Sequence, residues 1–215
     1  MAALNNGVSS FVLVLLALSA APLAVVAGDP DILTDYIIPA NFNPANITGD
    51  FFAYGGLRAA LTGPAPVNFT VTKASMAEFP ALNGQSVSFA SLFYPPGSVN
   101  PTHTHPRASE LLLVVDGELS VGFIDTAGKI FTKDLATGDM FIFPKGTVHW
   151  QYNAAVSQNA SALSAFGSAA AGLVSVPVTV FGTGIDDDVL VKSFKTDVDT
   201  VHKLKTALTP PPKKP

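Results

Sequence analysis

The sequence predicts an all-β domain, an antiparallel sandwich or barrel, with one short helical region near its C-terminal end. Three observations lead to this prediction. Short apolar runs follow one another through the middle of the chain, and turn signals separate them. These runs lack strict alternation, which indicates strands that are covered on both faces. Helical spacing of apolar residues occurs only late, in Asp197–Leu208.

The predicted strands begin and end where turn residues interrupt the apolar runs. Asp116-Gly117 is a strong hairpin dipeptide and ends one run, and Lys145-Gly146 precedes another. The predicted strands, in order, are Val67–Thr72, Val87–Tyr94, Leu111–Val115, Glu118–Ile124, Ile130–Leu135, Met140–Phe143, Val148–Tyr152, Leu163–Phe166 and Val174–Phe181.

The predicted C-terminal helix carries an apolar stripe suited to burial against another surface. The stripe consists of Val198, Val201, Leu204 and Leu208. His202 falls on the polar side of this helix, where we expect it to be solvated. The preceding run Asp186-Asp-Asp188 is better explained as the charged start of a helix than as a second metal site.

The N-terminal residues 1–27 are predicted to be a secretory signal peptide. Phe11–Ala21 is an apolar run, Pro22 interrupts it, and Val25-x-Ala27 offers the small residues of a cleavage site between residues 27 and 28. The alternative is a transmembrane anchor, but the unbroken apolar stretch is short for a span of ~20 residues.

The predicted domain covers residues 28–208. It begins with an extended arm, Asp29–Asn46, which is rich in Pro and Asn and lacks periodicity. It is followed by a Pro- and Lys-rich tail, residues 209–215, which we expect to be disordered. No later segment is long and apolar enough to span a membrane.

The composition narrows the choice of partners and compartment. Apolar residues make up 48% of the chain and charged residues 13%, so long disorder inside the domain is not expected. With a net charge of −4 and no basic block outside the tail, nucleic acid is a poor candidate partner. Three sequons, at Asn46, Asn68 and Asn159, are candidate glycosylation sites on a secretory route.

Four residues in two segments form a candidate metal site. His103 and His105 lie two apart and therefore project to the same face of a strand. Glu110 opens the next strand after a turn, and an antiparallel neighbour could bring it beside the two imidazoles. His149 follows a second turn. Three imidazole nitrogens and one carboxylate suit a divalent metal and leave coordination positions open.

An alternative is that these histidines are ordinary surface or core residues with routine hydrogen bonds. A single isolated histidine is usually such an ordinary residue. Here three of the chain's four histidines stand in strand and turn settings beside a glutamate, which favours the metal. The donor set alone leaves manganese, iron, zinc and copper open.

At this point the sequence resembles a known family. Two spaced motifs match the cupin pattern: Gly97-x5-His103-x-His105-x4-Glu110-x6-Gly117 and Gly138-x5-Pro144-x-Gly146-x2-His149-x3-Asn153. The passages "DPDILTDY", "HPRASE" and "VPVTVFGTGIDDDVLVKSFKTD" resemble the plant germin and germin-like branch. The resemblance implies a cupin jelly-roll β-barrel and a manganese ion bound by His103, His105, Glu110 and His149. It also implies secretion to the apoplast and cell wall, and hexamers built as trimers of dimers.

The chain departs from the germin pattern at two places. Germins typically carry two cysteines that form a disulfide near the mature N-terminus, and this chain has no cysteine. Its stability must therefore come from the core, a metal or assembly. Oxalate-oxidising germins resemble one another in having two pocket asparagines. Asn100 matches one, but an ungapped alignment places Ala90 at the other, which disfavours oxalate as substrate.

Three functions remain open at this stage. The first is a redox enzyme that dismutates superoxide at manganese, with Asn100 orienting a bound anion or water. The second is oxalate oxidation at the same site. The third is a non-catalytic wall or receptor-like glycoprotein with a structural metal, which acts in defence or development.

Overall fold

The domain consists of two five-stranded antiparallel sheets packed face to face, followed by three short helices. The computed structural model describes residues 28–209, so the predicted signal peptide and all but the first residue of the predicted tail lie outside the described residues. The strands are β1 Thr70–Ala74, β2 Ser88–Tyr94, β3 Val99–Thr104, β4 Glu110–Asp116, β5 Glu118–Ile124, β6 Ile130–Ala136, β7 Met140–Phe143, β8 Val148–Tyr152, β9 Ala160–Phe166 and β10 Val174–Ser175. The helices are α1 Arg58–Thr62, α2 Val176–Phe181, α3 Asp187–Phe194 and α4 Val198–Leu208.

The strand order confirms the predicted jelly-roll barrel. The first sheet runs β1-β2-β9-β4-β7 and the second runs β10-β3-β8-β5-β6, with every neighbouring pair antiparallel. Consecutive strands such as β3 and β4 therefore lie in opposite sheets. Each sheet contributes alternate residues to the space between them.

Alternate residues of the strands form the apolar core between the sheets. In β4, Leu112 and Val114 are at most 1% exposed, whereas the intervening residues point outward. The buried core consists of Ala90, Leu92, Tyr94, Leu112, Val114, Leu119, Val121, Leu135, Phe143, Ala160 and Ala162. Phe143 also stacks on the His149 ring, at 4.4 Å between ring centroids, so the core extends to the candidate metal site.

The predicted hairpin at Asp116-Gly117 joins β4 to β5. Gly117 has a φ of +77°, a left-handed conformation that side chains other than glycine adopt at a cost. A Cβ atom at this position would also lie 2.5 Å from the carbonyl oxygen of Asn159. The turn therefore requires glycine for both backbone conformation and space.

The predicted strand Val174–Phe181 is wrong for most of its length. Only Val174–Ser175 forms a strand, and Val176–Phe181 is the helix α2. Pro177 occupies the first turn of that helix, where its missing N–H costs nothing and its fixed φ suits helical backbone. A short apolar run without clear periodicity does not distinguish a strand from a buried helix.

The last two helices begin where their capping residues predict. Asp186 accepts a hydrogen bond from the backbone N–H of Asp188, which confirms the predicted helix start. α4 packs against α2 and α3. Val201 is fully buried within the chain itself, whereas Val198 and Leu204 remain 46% and 36% exposed. The predicted apolar stripe is therefore only partly buried by the chain's own residues.

His202 is exposed, as expected, but it is also paired. Its Nε2 lies 2.7 Å from an oxygen of Asp187, and the Lys205 ammonium donates to the other oxygen. These two hydrogen bonds, the one from Lys205 first, lower the pKa of the Asp187 carboxyl. The contacts join α4 to the first turn of α3.

The N-terminal arm is fastened to the domain by a carboxylate rather than by a disulfide. Asp29 accepts hydrogen bonds from the Ser168 hydroxyl at 2.5 Å and from the backbone N–H of Ala169 at 2.7 Å. The backbone N–H of Asp29 donates to the Ser86 hydroxyl at 3.1 Å. Beyond it, the arm has no regular strand and contains a 3-10 turn, Pro44–Asn46.

Candidate metal centre

The second sheet supplies three imidazoles to one end of the barrel. His103 lies in β3 directly opposite His149 in β8, and their ring centroids are 4.1 Å apart. His105 follows immediately after β3. As the period of two predicts, His103 and His105 project to the same side. The structure therefore brings together the three histidines of the predicted site.

Glu110 completes the group from the opposite sheet. Its Oε2 lies 3.0 Å from His105 Nε2, 3.2 Å from His149 Nε2 and 4.0 Å from His103 Nε2. The expectation that an antiparallel neighbour of β3 would carry Glu110 is wrong, because β3 pairs with β8 and β10, whereas β4 pairs with β7 and β9. The carboxylate instead faces the imidazoles across the barrel interior.

The four predicted ligands form a compact and buried cluster. One nitrogen or oxygen from each residue lies within 4.8 Å of the others, and all four residues are classed as buried. None of the four is more than 8% exposed. A site with these dimensions can be filled by a single cation contacted by three nitrogens and one oxygen.

Backbone carbonyls fix the orientation of every imidazole. His103 Nδ1 lies 2.7 Å from the carbonyl oxygen of Pro101, and His149 Nδ1 lies 2.9 Å from that of Thr147. His105 Nδ1 lies 2.6 Å from the carbonyl oxygen of Gly172. A carbonyl only accepts, so each neutral ring carries its hydrogen on Nδ1 and presents an Nε2 lone pair to the centre.

This arrangement fits a bound divalent cation. Three Nε2 lone pairs and a carboxylate oxygen are all acceptors, and without a cation or extra protons they would repel one another at these distances. A divalent metal ion replaces that repulsion with four attractive contacts. Imidazole nitrogens with one carboxylate suit first-row metals such as manganese, iron or zinc.

The electrostatics favour the unprotonated ligands that a metal requires. Burial and the neighbouring His149 lower the pKa of His103 to about 4. Burial alone would raise the pKa of Glu110, but the adjacent His105 and His149 side chains and a hydrogen bond from Ser164 outweigh it and hold that pKa below its ordinary range. Both groups are therefore in the metal-binding form at neutral pH.

Two further residues, which sequence reasoning did not identify, hold the second oxygen of Glu110. Its Oε1 accepts a hydrogen bond from the Ser164 hydroxyl at 2.6 Å and another from Gln151 Nε2 at 3.2 Å. Both residues are fully buried. These contacts hold the carboxylate with Oε2 toward the imidazoles, where Oε2 would be the oxygen available to a metal. Gln151 could have been found, since it lies two residues after His149 on the same strand face.

Asn100 lies next to the cluster, and one of its two amide N–H groups already has an acceptor. Asn100 Nδ2 donates to Gln151 Oε1 at 2.6 Å, and the Tyr94 hydroxyl donates to the same oxygen at 3.4 Å. Burial, followed by the negative charge of Glu110, raises the pKa of Tyr94 well above its usual value. The Asn100 side chain therefore belongs to a network that ends at a metal ligand.

A cavity of about 510 Å³ connects the cluster with the protein surface. Asn100, His103, His105 and Glu110 form part of its lining. Lys73, Glu78 and Arg107 also line it and lie on the exposed side. The cavity leaves room for a small molecule to approach the centre.

The three predicted glycosylation sequons lie on the surface. Asn46, Asn68 and Asn159 are all exposed. Exposure is required for a glycan but does not establish one, so glycosylation stays a prediction.

We expect His149→Ala to abolish stoichiometric metal binding. Three ligands remain, and the affinity should fall by more than the roughly 10–100-fold that loss of an outer hydrogen-bond partner costs. Metal content of the purified protein, measured by elemental analysis, checks this. His202→Ala is the matched control, because it removes the remaining histidine, on α4, and should leave the metal content unchanged. Full metal occupancy in His149→Ala would contradict the ligand set.

Ser164→Ala should weaken metal binding by about tenfold while the protein stays folded, since it removes one donor to Glu110 and frees the carboxylate to rotate. Competition with a chelator of known affinity measures the change. Ser88→Ala is the control, because the Ser88 hydroxyl donates to the backbone of Ser168 and not to Glu110. Equal affinities in the two variants would show that the Ser164 contact does not position the ligand.

Comparisons with known proteins agree with the fold. Residues 62–202 match the family model described as Cupin. The chain is 68% identical over 211 residues to "Germin-like protein 9-3" of Oryza sativa subsp. japonica, covering 95% of this chain and 98% of the relative. It is 39% identical over 219 residues to "Germin-like protein subfamily 2 member 2" of Arabidopsis thaliana, covering 93% and 97%. The solved structure "Oxalate oxidase in complex with substrate analogue glycolate" superimposes with a TM-score of 0.76 at 30% identity, covering 84% of this chain and 98% of that one. The chain belongs to the germin-like proteins of the cupin family.

Proposed function

We propose that this chain is a secreted germin-like metalloprotein that binds manganese at the three-His-one-Glu centre and dismutates superoxide there. The observation that carries the proposal is the convergence of three Nε2 atoms and one carboxylate oxygen on a single buried point beside a cavity. A closed structural site would have no such approach. The family resemblance supports manganese in particular, and the donor set is compatible with it.

The chain's own residues suit a small anionic substrate. A bound manganese ion would supply one-electron redox chemistry, so that two superoxide anions and two protons yield dioxygen and hydrogen peroxide. Lys73 and Arg107 lie at the cavity and attract an anion, whereas Glu78 offsets one of these charges. The Asn100–Gln151–Glu110 network holds the ligand carboxylate in place while substrate enters.

Oxalate oxidation is the second candidate, and the similarity to a solved oxalate oxidase supports it. Three features of this cavity argue against it. Ala90 lines the cavity, is 4% exposed and has no side-chain donor. One of the two N–H groups of the Asn100 amide already donates to Gln151. The Ser88 hydroxyl, a possible substitute, donates to the backbone of Ser168 at 2.6 Å. A dicarboxylate would therefore leave oxygens poorly paired.

We also propose the setting that the resemblance implies: secretion to the apoplast and cell wall, glycosylation at one or more of the three sequons, and a role in defence or development. Within residues 28–209, no helix is long and apolar enough to cross a membrane. The exposed sequons are compatible with passage through the secretory route.

An exposed apolar sheet face supports a hexamer, a trimer of dimers, as the proposed assembly. In the first sheet, the residues that alternate with the core point outward and remain accessible. Large apolar side chains there are 37–55% exposed: Phe89, Leu111, Val115, Met140 and Ile142. Such a face is typical of a subunit contact. Val198 and Leu204 on α4 offer a second contact, so two different interfaces are available for a closed oligomer.

Leu111→Asp combined with Ile142→Asp should release smaller species, because it places charge on both strands of the apolar sheet face. Light scattering at micromolar concentration measures the mass. Val99→Asp is the control, since Val99 is 43% exposed, between Leu111 at 37% and Ile142 at 51%, but lies in the second sheet. A wild-type protein that runs as a folded monomer would rule out the hexamer.

Manganese-loaded protein should dismutate superoxide and release negligible hydrogen peroxide from oxalate. Both assays are made on the same sample, with His149→Ala as the metal-free control. Ala90→Asn should raise any oxalate turnover, because it restores a donor to the cavity wall. Strong oxalate oxidation by the wild type would make oxalate oxidation, and not superoxide dismutation, the better-supported function. Stoichiometric metal without either activity would favour the non-catalytic glycoprotein.

A further inference from the structure

The imidazole of His105 is oriented by a distant part of the chain, unlike the other two imidazoles of the centre. The carbonyl groups that orient His103 and His149 belong to residues only two positions earlier in the sequence. The Nδ1 atom of His105 instead lies 2.6 Å from the carbonyl oxygen of Gly172, which is 67 residues further along. The orientation of this ligand therefore depends on how firmly a distant segment is held.

The segment that carries this carbonyl, residues 170–172, has little of its own to hold it. It lies in an irregular stretch between β9 and β10 that forms neither a helix nor a strand. Its sequence is Ala-Ala-Gly, so no side chain in it can donate or accept a hydrogen bond. Gly172 has a φ of +74°, in the region where glycine is least restricted. The position of its carbonyl group must therefore be set by contacts from elsewhere.

Arg107 makes contacts with all three residues of this segment. Its Nε atom donates to the carbonyl oxygen of Ala170, and its backbone N–H donates to that of Ala171 at 3.1 Å. Its guanidinium group lies directly against Gly172. A Cβ atom at Gly172 would lie 2.9 Å from one guanidinium nitrogen and 3.0 Å from the central carbon. One side chain thus restrains the peptide units that lead to the carbonyl beside His105.

These contacts use properties of arginine that lysine lacks. Arginine has an Nε donor within a rigid planar group, and that plane can pack against a glycine. Lysine has the same charge, but its only nitrogen lies at the end of a flexible chain. Charge alone would act in the opposite direction at this centre, because a positive group near a bound cation weakens the binding of that cation.

We propose that Arg107 is a positioning residue for the candidate metal ligand His105. It acts through residues 170–172, whose last carbonyl accepts the hydrogen bond from Nδ1 and thereby keeps Nε2 directed at the centre. The inference rests on the proposed function only for the presence of a divalent metal. It requires neither manganese in particular nor dismutation.

Two substitutions of Arg107 separate positioning from charge. Arg107→Lys keeps the charge and removes the Nε donor, and Arg107→Gln removes both. Competition with a chelator measures the affinity of each variant for Mn²⁺. Both should bind roughly three- to tenfold more weakly than wild type, a smaller loss than the roughly 10–100-fold for a direct partner of a ligand. Unchanged affinity in Arg107→Lys with tighter binding in Arg107→Gln would show that only charge matters, and overturns the proposal.

The absorption spectrum of the Co²⁺-loaded protein tests whether the ligand itself moves. The visible bands of Co²⁺ depend on the geometry of its ligands, so they should differ between Arg107→Lys and wild type. Arg107 is exposed, so the metal-free variant should unfold at nearly the wild-type temperature. An unchanged spectrum together with a lowered unfolding temperature would show a purely structural role and overturns the proposal.

Gly172→Ala tests the route from Arg107 to His105. The added methyl group would displace the guanidinium group, and Mn²⁺ binding should weaken. Combining it with Arg107→Lys should cause no further loss, because both changes act on the same carbonyl. Gly128→Ala is the matched control, since Gly128 has a similar φ of +78° but open space around its Cα. Additive losses in the double variant, or an equal loss in Gly128→Ala, overturn the route.

Superoxide assays on the same samples distinguish this inference from the proposed function. Weaker Mn²⁺ binding by Arg107→Lys, in a protein whose wild type does not dismutate superoxide, supports the inference and contradicts the proposed activity. Dismutation by the wild type, with wild-type Mn²⁺ affinity in both Arg107 variants, does the reverse. A wild type that binds no divalent metal contradicts both.

Discussion

A buried carboxylate that faces three imidazole lone pairs is the contact on which the rest of the molecule depends. Glu110 comes from one sheet, and His103, His105 and His149 come from the other or its edge. The barrel must therefore close before the four groups meet, and once they meet they need positive charge to stay together. A metal bound at this centre would link the two sheets and add to the stability of a chain without cysteines.

The same contact explains how the site can be both rigid and accessible. Carbonyl groups orient the imidazoles from behind, and Ser164 and Gln151 hold the far oxygen of Glu110. All of these restraints lie on the protein side of the centre. The cavity side carries mostly apolar side chains, which exclude competing ligands without coordinating the metal.

Sequence spacing is sufficient to find the four clustered residues and most of the strands, because each signal is local. Two residues on one strand share a face, and Asp116-Gly117 can form only a tight turn. Sequence spacing is insufficient where contacts between residues far apart in the chain determine which groups meet. Nothing near Glu110 in sequence indicates that it faces His103 from the opposite sheet. Ser164 has no sequence signal as a partner of Glu110, because a serine in a buried strand has many possible roles. The short apolar run Val174–Phe181 does not distinguish a strand from a helix, and only Pro177 marks the helix start.

If the predicted signal peptide is removed, the attachment of the N-terminal arm would link that cleavage to the candidate metal site. Asp29 is held by Ser168 and Ala169, and Gly172, only a few residues further along, supplies the carbonyl that orients His105. If the signal peptide is cut after residue 27, the new chain end lies one residue before this carboxylate. A cut two residues further would remove Asp29 and free the segment behind His105. Accurate proteolytic processing would then be a condition for a well-ordered metal ligand, and imprecisely trimmed molecules would differ in metal occupancy.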